Sequence, residues 1–350
     1  MDNNTPSISL YDTLAKEIIR GLEGKNKGIL TNTGFIDNNL SGITSGTYTL
    51  IGAEPGTGKT SFIDEIYLTS IYEYVKNNNL FDKIKIIYYS FEIKFAIKLA
   101  KLLCRKIYLD HGQYININTL LSRNRYSPSQ DTLSRIDSYR TYFDDLGRIV
   151  TPHEQSMNGA DMTGSLFELS RKFGKWKDDN PNGEYILDSD CFVLVIIDHI
   201  GLLKRNKFSS KKETIDDLSE YMVRLRNKCN FSFLITSQLN RDQSRRERQI
   251  KVKYGPQLSD FKDTGNTQED ADIVLGMYNP YKYKVDDFMG YNIGRMGSHF
   301  RSLHILKNRY GKENVSCGFV FDGGINRFTE LPRSDMMKEE DYEKYSILST

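Results

Sequence analysis

The segment AEPGTGKT, residues 53–60, joins two glycines to a Lys-Thr pair. It follows an apolar run, TYTLIGA (47–53), and opens a helix-forming stretch, the setting in which G-x-x-x-x-G-K-[ST] binds phosphate. Gly56 and Gly58 let the backbone curl so that successive N–H groups point inward at phosphate oxygens, and the helix beginning near Lys59 adds its positive dipole end. The expected cradle is Glu54, Pro55, Gly56, Thr57, Gly58, Lys59, Thr60 and Ser61. Lys59 is expected to reach the β- and γ-phosphates, and the Thr60 hydroxyl to ligate Mg2+. Ala53 stands where the general motif has Gly.

Three further residues sit where strands end. Asp198 closes CFVLVIID (191–198), an almost wholly apolar run of the kind buried on both faces of a parallel sheet. Ligands of open parallel sheets lie at the carboxyl ends of strands, so this carboxylate is the second expected metal-side group, holding the water shell of Mg2+. Glu92 ends KIIYYSFE (85–92). Its position suits a carboxylate that orients or deprotonates water, and equally a helix-start Glu favoured by the dipole. Gln238 ends FSFLITSQ (231–238), where an amide either senses a γ-phosphate or simply leaves a strand. Spacing alone separates neither pair of readings.

These positions need a scaffold, and the chain supplies alternating patterns. Strands are expected at Thr47–Ala53, Lys83–Phe91, Arg148–Thr151, Cys191–Asp198 and Phe231–Ser237, with helices at Ser61–Tyr74, Ala96–Ile107, near Asp161–Phe173 and through Ile215–Leu225. Asp272–Tyr278, Ser302–Lys307 and Val315–Phe321 follow as strands without long helices between them. The fold class is α/β: a mostly parallel, doubly wound sheet flanked by helices, with antiparallel C-terminal strands. Ahead of it, Leu10, Leu14, Ile18 and Leu22 form one stripe of a short amphipathic helix, cut off by GKNKG (24–28), and residues 1–9 read as a frayed terminus. The expected organisation is a linker helix (1–30), whose stripe needs a partner surface on its own domain or on a neighbouring subunit, a main domain holding the phosphate-type loop (31–330) with a small helical excursion (110–147), and a loose charged tail (331–350). Residues 174–190, with the single tryptophan, read as a surface loop.

The 350 residues suggest roughly two domains at about 150 each, or one large domain with additions. The 48 basic and 46 acidic residues leave a net charge of +2, so any nucleic-acid surface must be local. No apolar run approaches the roughly 18 residues of a membrane span, and MDNNTPSISLYDT is not a secretory signal. The cysteines (Cys104, Cys191, Cys229, Cys317) have no CxxC spacing and read as buried thiols of a reducing, cytoplasmic setting.

In order along the chain, TGFIDNNLSG (33–42), AEPGTGKTSF (53–62), YSFE (89–92), VIIDHIGLL (195–203), SQLNR (237–241), LSDFKDTGNTQEDADIV (258–274) and KNRYG (307–311) resemble the C-terminal ATPase domain of DnaB-like replicative helicases, of the RecA-like superfamily. The resemblance spans about residues 30–330. It implies ATP and Mg2+ as cofactors, Glu92 as the catalytic carboxylate and Gln238 as the γ-phosphate sensor. It also implies that Lys307 and Arg309 are a basic pair reaching the nucleotide of an adjacent subunit. An Arg fork in that place offers bidentate bonds to charge on the transferred phosphoryl. Lys262, Asp263 and Gly265 match positions that face single-stranded DNA, and Arg241, at the start of the basic loop, is an expected further DNA contact.

The resemblance further implies a ring, commonly of six subunits, that moves on one strand and unwinds duplex, with primase or a helicase loader as further partners. The compact build fits a phage or mobile-element protein. Departures are His199 for the usual aromatic after Asp198, Lys262 and Asp263 for Arg and Glu, and Gln268-Glu269 in swapped order. The family's N-terminal collar domain has no room in residues 1–30, which leaves the Leu10–Leu22 helix as the expected assembly device. The basic loops 204–212 and 240–253 read either as channel lining or as solvated charge. Other readings of the same chain are a RecA-like recombinase or other ATPase, or an ATP-switched scaffold that recruits or blocks a host helicase.

Overall fold

The computed structural model describes residues 9–123, 125–187, 191–240, 255–264 and 266–346. Residues 1–8, Arg241, Gly265, the rest of the basic loop 240–253 beyond Asn240, and residues 347–350 lie outside them.

The apolar runs of the sequence become one nine-stranded sheet. In chain order its strands are β1 (Tyr48–Ala53), β2 (Ile84–Ser90), β3 (Val150–His153), β4 (Phe192–Asp198), β5 (Ser232–Gln238), β6 (Ile273–Tyr278), β7 (Phe300–Asn308), β8 (Val315–Asp322) and β9 (Arg327–Glu330). Across the sheet the order is β9-β8-β7-β6-β1-β5-β4-β2-β3. From β6 to β3 all neighbours are parallel, and β7, β8 and β9 add antiparallel pairs at the other side. This is the mostly parallel sheet with antiparallel C-terminal strands that the alternating pattern implies.

Successive strand residues serve opposite faces of the sheet. Ile51, Ile86, Tyr88, Leu194, Ile196 and Leu234 pack under the helical run 59–78 and the helices Phe95–His111 and Arg140–Ile149. Leu50, Ile87, Val193, Val195, Phe233 and Ile235 pack against the helices Gly159–Ser170 and Lys211–Cys229. Both faces of the central strands are therefore dry, and the only free positions are strand ends. Parallel register aligns Ala53 with Gln238 and Ser90 with Asp198, so four chain segments end at one edge.

Three details differ from expectation. Trp176 is buried rather than on a surface loop, because Gly174–Trp176 pairs with Tyr185–Leu187 and the indole N–H donates to Ser170 Oγ at 2.7 Å. Nor are residues 331–350 a loose tail throughout. Glu339–Ser346 form a helix whose Tyr342 and Tyr345 are buried with Tyr291, Ile293 and Phe300. All four cysteines are free, but only Cys104 and Cys229 are buried, while Cys191 and Cys317 are half-buried.

Helix Leu10–Leu22, started by Ser9 capping Asp12 N–H, buries none of its residues. The 3-10 helix Leu258–Thr264, carrying Lys262 and Asp263, is seated on β1 instead. Phe261 lies fully buried over Gly52, so closely that a Cβ there would fall 2.3 Å from the ring and 2.4 Å from Leu239. Gly52→Ala is therefore expected to lower stability by about 1–3 kcal/mol, as overpacking of a filled core does. Urea unfolding measures it, and an unchanged midpoint would contradict this close approach.

Candidate nucleotide site and its opposite edge

The loop after β1 turns on Gly58 (φ 97°), where a Cβ would also meet the Phe321 ring at 2.9 Å. Helix then runs from Lys59, with Phe62 N–H returning to Gly58 O at 2.9 Å. The Lys59 ammonium is buried and donates to Ser237 O on β5 at 3.0 Å. Burial, the largest influence, lowers its pKa, while the carboxylates of Asp198 and Glu92 pull the other way.

Thr60 Oγ1 donates to Asp198 Oδ2 at 2.8 Å, so the two expected metal-side groups touch. Asp198 is fully buried. Its Oδ1 accepts from Thr236 at 2.9 Å and its Oδ2 also faces the Lys98 ammonium at 3.1 Å. Burial alone lifts this carboxyl, but the charges of Lys98 and Lys59, with the Thr60 hydroxyl, outweigh it and hold the pKa below the ordinary value. The donors, a hydroxyl and a carboxylate, are hard oxygens that fit Mg2+, an ion held by one or two carboxylates plus phosphates and water. Among the described residues no cluster of three or more His, Cys, Asp or Glu forms a closed metal cage.

Behind Asp198 stands a second layer. Lys98 Nζ donates to Tyr88 Oη at 2.8 Å and lies 3.6 Å from Asp64, whose Oδ1 accepts from Tyr88 at 2.8 Å. Lys98, Asp64 and Tyr88 are all fully buried. Asp64 sits in a π-helical stretch, Ile63–Thr69, a widening that often marks functional sites. Burial raises the Asp64 pKa, partly offset by Lys98.

Glu92 is exposed in the bend after β2, near enough for its charge to act on Lys59 and Lys101. Gln238 ends β5 beside His199, with Nε2 atoms 3.3 Å apart. Burial first, then the Lys59 charge, push the His199 imidazole down to about 4, so it is neutral at physiological pH.

The phosphate-type loop is also clamped from afar. Arg301 Nε donates to Thr57 O at 2.7 Å. Glu54 accepts from Lys282 at 2.9 Å and from the Tyr283 hydroxyl. No motif announces Lys98, Arg301, Lys282 or Tyr283; each is distant in sequence and is recognised only once folded.

Lys307 and Arg309 lie elsewhere. Arg309 N–H donates to Asp272 O, and Asp272 N–H to Tyr48 O, which puts Arg309 level with the start of β1. The nucleotide-type loop leaves from Ala53, five residues further along, or about 17 Å at 3.3–3.4 Å per residue. Arg309 Nη1 is 3.0 Å from Asp272 Oδ1, which also pairs with Arg226 at 2.7 Å, while Asp272 Oδ2 accepts from Tyr48 N–H at 2.9 Å. Lys307 Nζ donates to the carbonyls of Gln268 and Glu269 at 3.0 and 2.7 Å. The structure thus brings Lys59, Thr60, Asp198, Gln238 and Glu92 to one edge and leaves Lys307 and Arg309 at the other.

Residues 186–330 match the family model described as DnaB-like helicase C terminal domain. The replicative DNA helicase DnaB of Helicobacter pylori is 25% identical over 271 residues, 75% of this chain and 47% of that protein. The same enzyme of Geobacillus stearothermophilus is 23% identical over 335 residues, 93% of this chain and 61% of that protein. The chain thus spans about half the length of the first of these relatives. Among solved structures, an ATPase domain gives a TM-score of 0.67 at 19% identity, over 93% of this chain and 99% of that one. A DnaB-like replicative helicase, described with its interactions with primase, gives 0.66 at 19%, over 93% and 69%. These structural likenesses speak for the fold.

Removing the Lys98 charge leaves Asp198 buried without its main counter-ion. Lys98→Met is expected to cost about 3–5 kcal/mol, as breaking a buried ion pair does. Chemical denaturation measures it, and a loss below about 1 kcal/mol, the scale of an exposed pair, would contradict the pairing.

Proposed function

We propose that this chain, similar over its RecA-like core to the DnaB-like replicative helicases, is an ATP-driven DNA helicase motor that works as a ring, hexameric in the family's manner. ATP and Mg2+ bind at the edge built by Lys59, Thr60 and Asp198. The backbone from Glu54 to Ser61 cradles the phosphates. The ion polarises phosphate oxygens and offsets developing charge when bound. Glu92 orients water and Gln238 reads the γ-phosphate. Single-stranded DNA runs past Arg241, Lys262, Asp263 and Gly265, and primase or a loader is a further partner.

The observation that carries the ring is the separation of the two edges. Arg309 lies level with the start of β1, about 17 Å along the strands from the loop it is proposed to serve, and the Lys307 ammonium is turned to the same end, onto the carbonyls of Gln268 and Glu269. A basic pair so placed meets a triphosphate only on a neighbouring copy. Supplying the charge in trans makes turnover at one seam depend on how the next subunit sits, which is how hydrolysis drives movement around a ring.

Mixing tests this arrangement. Lys59→Ala and Arg309→Ala are each expected to lose DNA-stimulated ATP hydrolysis by about a thousandfold or more when alone, the scale of a lost arginine finger. Mixed in equal amounts they are expected to regain part of it, because some seams then carry Lys59 on one side and Arg309 on the other. Undiminished turnover by Arg309→Ala alone, or no recovery on mixing, would refute the shared site.

A further inference from the structure

We infer that Phe208, in the loop that follows Asp198, is a stacking platform for an unpaired nucleobase. This rests on the functional reading above and adds to it a residue and a mode of contact. Phe208 is 92% exposed, more than any other large apolar side chain described. An exposed apolar residue alone means little; its setting gives it meaning. It stands in KRNKFSSKK (204–212), among Lys204, Arg205, Lys207, Lys211 and Lys212, with no acid in the stretch. Lys207 Nζ lies 5.3 Å from the ring centroid, so a cation already attends the ring. A flat π-face beside cations matches the two surfaces that a single strand offers, a base face and a phosphate. Bases in a duplex are already stacked and do not offer the first.

The loop is also built rather than slack. Lys204 N–H donates to Met157 O at 2.9 Å. Asn206 is held twice, its Oδ1 accepting from Ala160 N–H at 3.0 Å and its N–H donating to Thr214 Oγ1 at 3.0 Å. Lys211 Nζ donates to Gly201 O, and Ser210 and Glu213 close a reciprocal cap on the helix that follows. The ring is therefore presented outward by a fixed frame, which lowers the ordering cost of binding.

Its place agrees. The loop leaves β4 immediately after Asp198 through the turn Ile200–Leu202. The helix it enters, Lys211–Cys229, reaches the other candidate DNA segment, with Asn266 N–H donating to Asp216 Oδ1 at 2.6 Å. The loop carrying Phe208 thus lies in the chain between the strand ending in Asp198 and the helix that meets Asn266, just after the segment holding Lys262 and Asp263.

The test compares a polythymidine oligonucleotide with an abasic oligonucleotide of equal length. Phe208→Ala is expected to weaken polythymidine binding by about tenfold, within the range of one lost stack, and to leave abasic binding as in the parent protein. Phe208→Trp is expected to retain affinity and to be quenched by polythymidine but not by the abasic strand; buried Trp176, the only native tryptophan, gives a constant background. If the parent protein binds polythymidine while Phe208→Ala binds it equally well and Phe208→Trp is not quenched, the platform is overturned and the helicase reading stands. If the parent protein binds neither strand, both fail. If Phe208→Ala instead changes the assembled mass with base preference intact, the ring is a subunit contact and the inference is overturned.

Discussion

A carboxylate held ionised in a dry interior is the constraint on which the candidate site depends. Asp198 is out of reach of water, and an unpaired charge there would cost several kcal/mol. It is kept charged by contacts from the loop helix (Thr60), from β5 (Thr236) and from the helix Phe95–His111 (Lys98). Each contact comes from a different element, so satisfying one charge fixes the relative placement of four pieces of chain. Tyr88 and Asp64 extend the requirement inward to β2 and the π-helical turn. The geometry that a nucleotide meets is therefore a consequence of electrostatic completion.

A second buried carboxylate does the same work at the other end of the sheet. Asp272 ties β1 through Tyr48 N–H, the helix Lys211–Cys229 through Arg226, and the chain after β7 through Arg309. Between the two carboxylates the parallel strands act as rigid spacers with dry faces. One edge carries the Gly-Lys-Thr loop proposed to hold phosphate and the other the basic pair, and rigid strands keep them apart. Arg309 remains largely outside this second cluster's core, with 44% of its side chain exposed, so it can exchange Asp272 for another anion.

How far the sequence reveals this depends on how local each signal is. The Gly-Lys-Thr loop, the strand-end positions of Asp198, Glu92 and Gln238, and the alternation of strand and helix are carried by short contiguous segments. Lys98 is invisible in that way: in the sequence it is one more lysine on an amphipathic helix, and only the fold turns it inward to Asp198. Arg301, Lys282 and Tyr283 reach the loop from more than two hundred residues away. The buried face of Glu339–Ser346 had a readable sign, Tyr342 and Tyr345 three residues apart, but its many charges outweigh that sign. Trp176 is masked likewise by the polar turn between its two short strands.

Fuel held at a seam between copies of this chain is the proposal on which the two edges converge. Its most direct test is a structure of the assembled protein with a non-hydrolysable ATP analogue, Mg2+ and single-stranded DNA. Expected are Lys59 and Thr60 of one copy on the triphosphate, and Arg309 of the partner subunit within hydrogen-bonding distance of its terminal phosphate, released from Asp272. A filled site at which every Arg309 still rests on its own Asp272, remote from all phosphates, would contradict it.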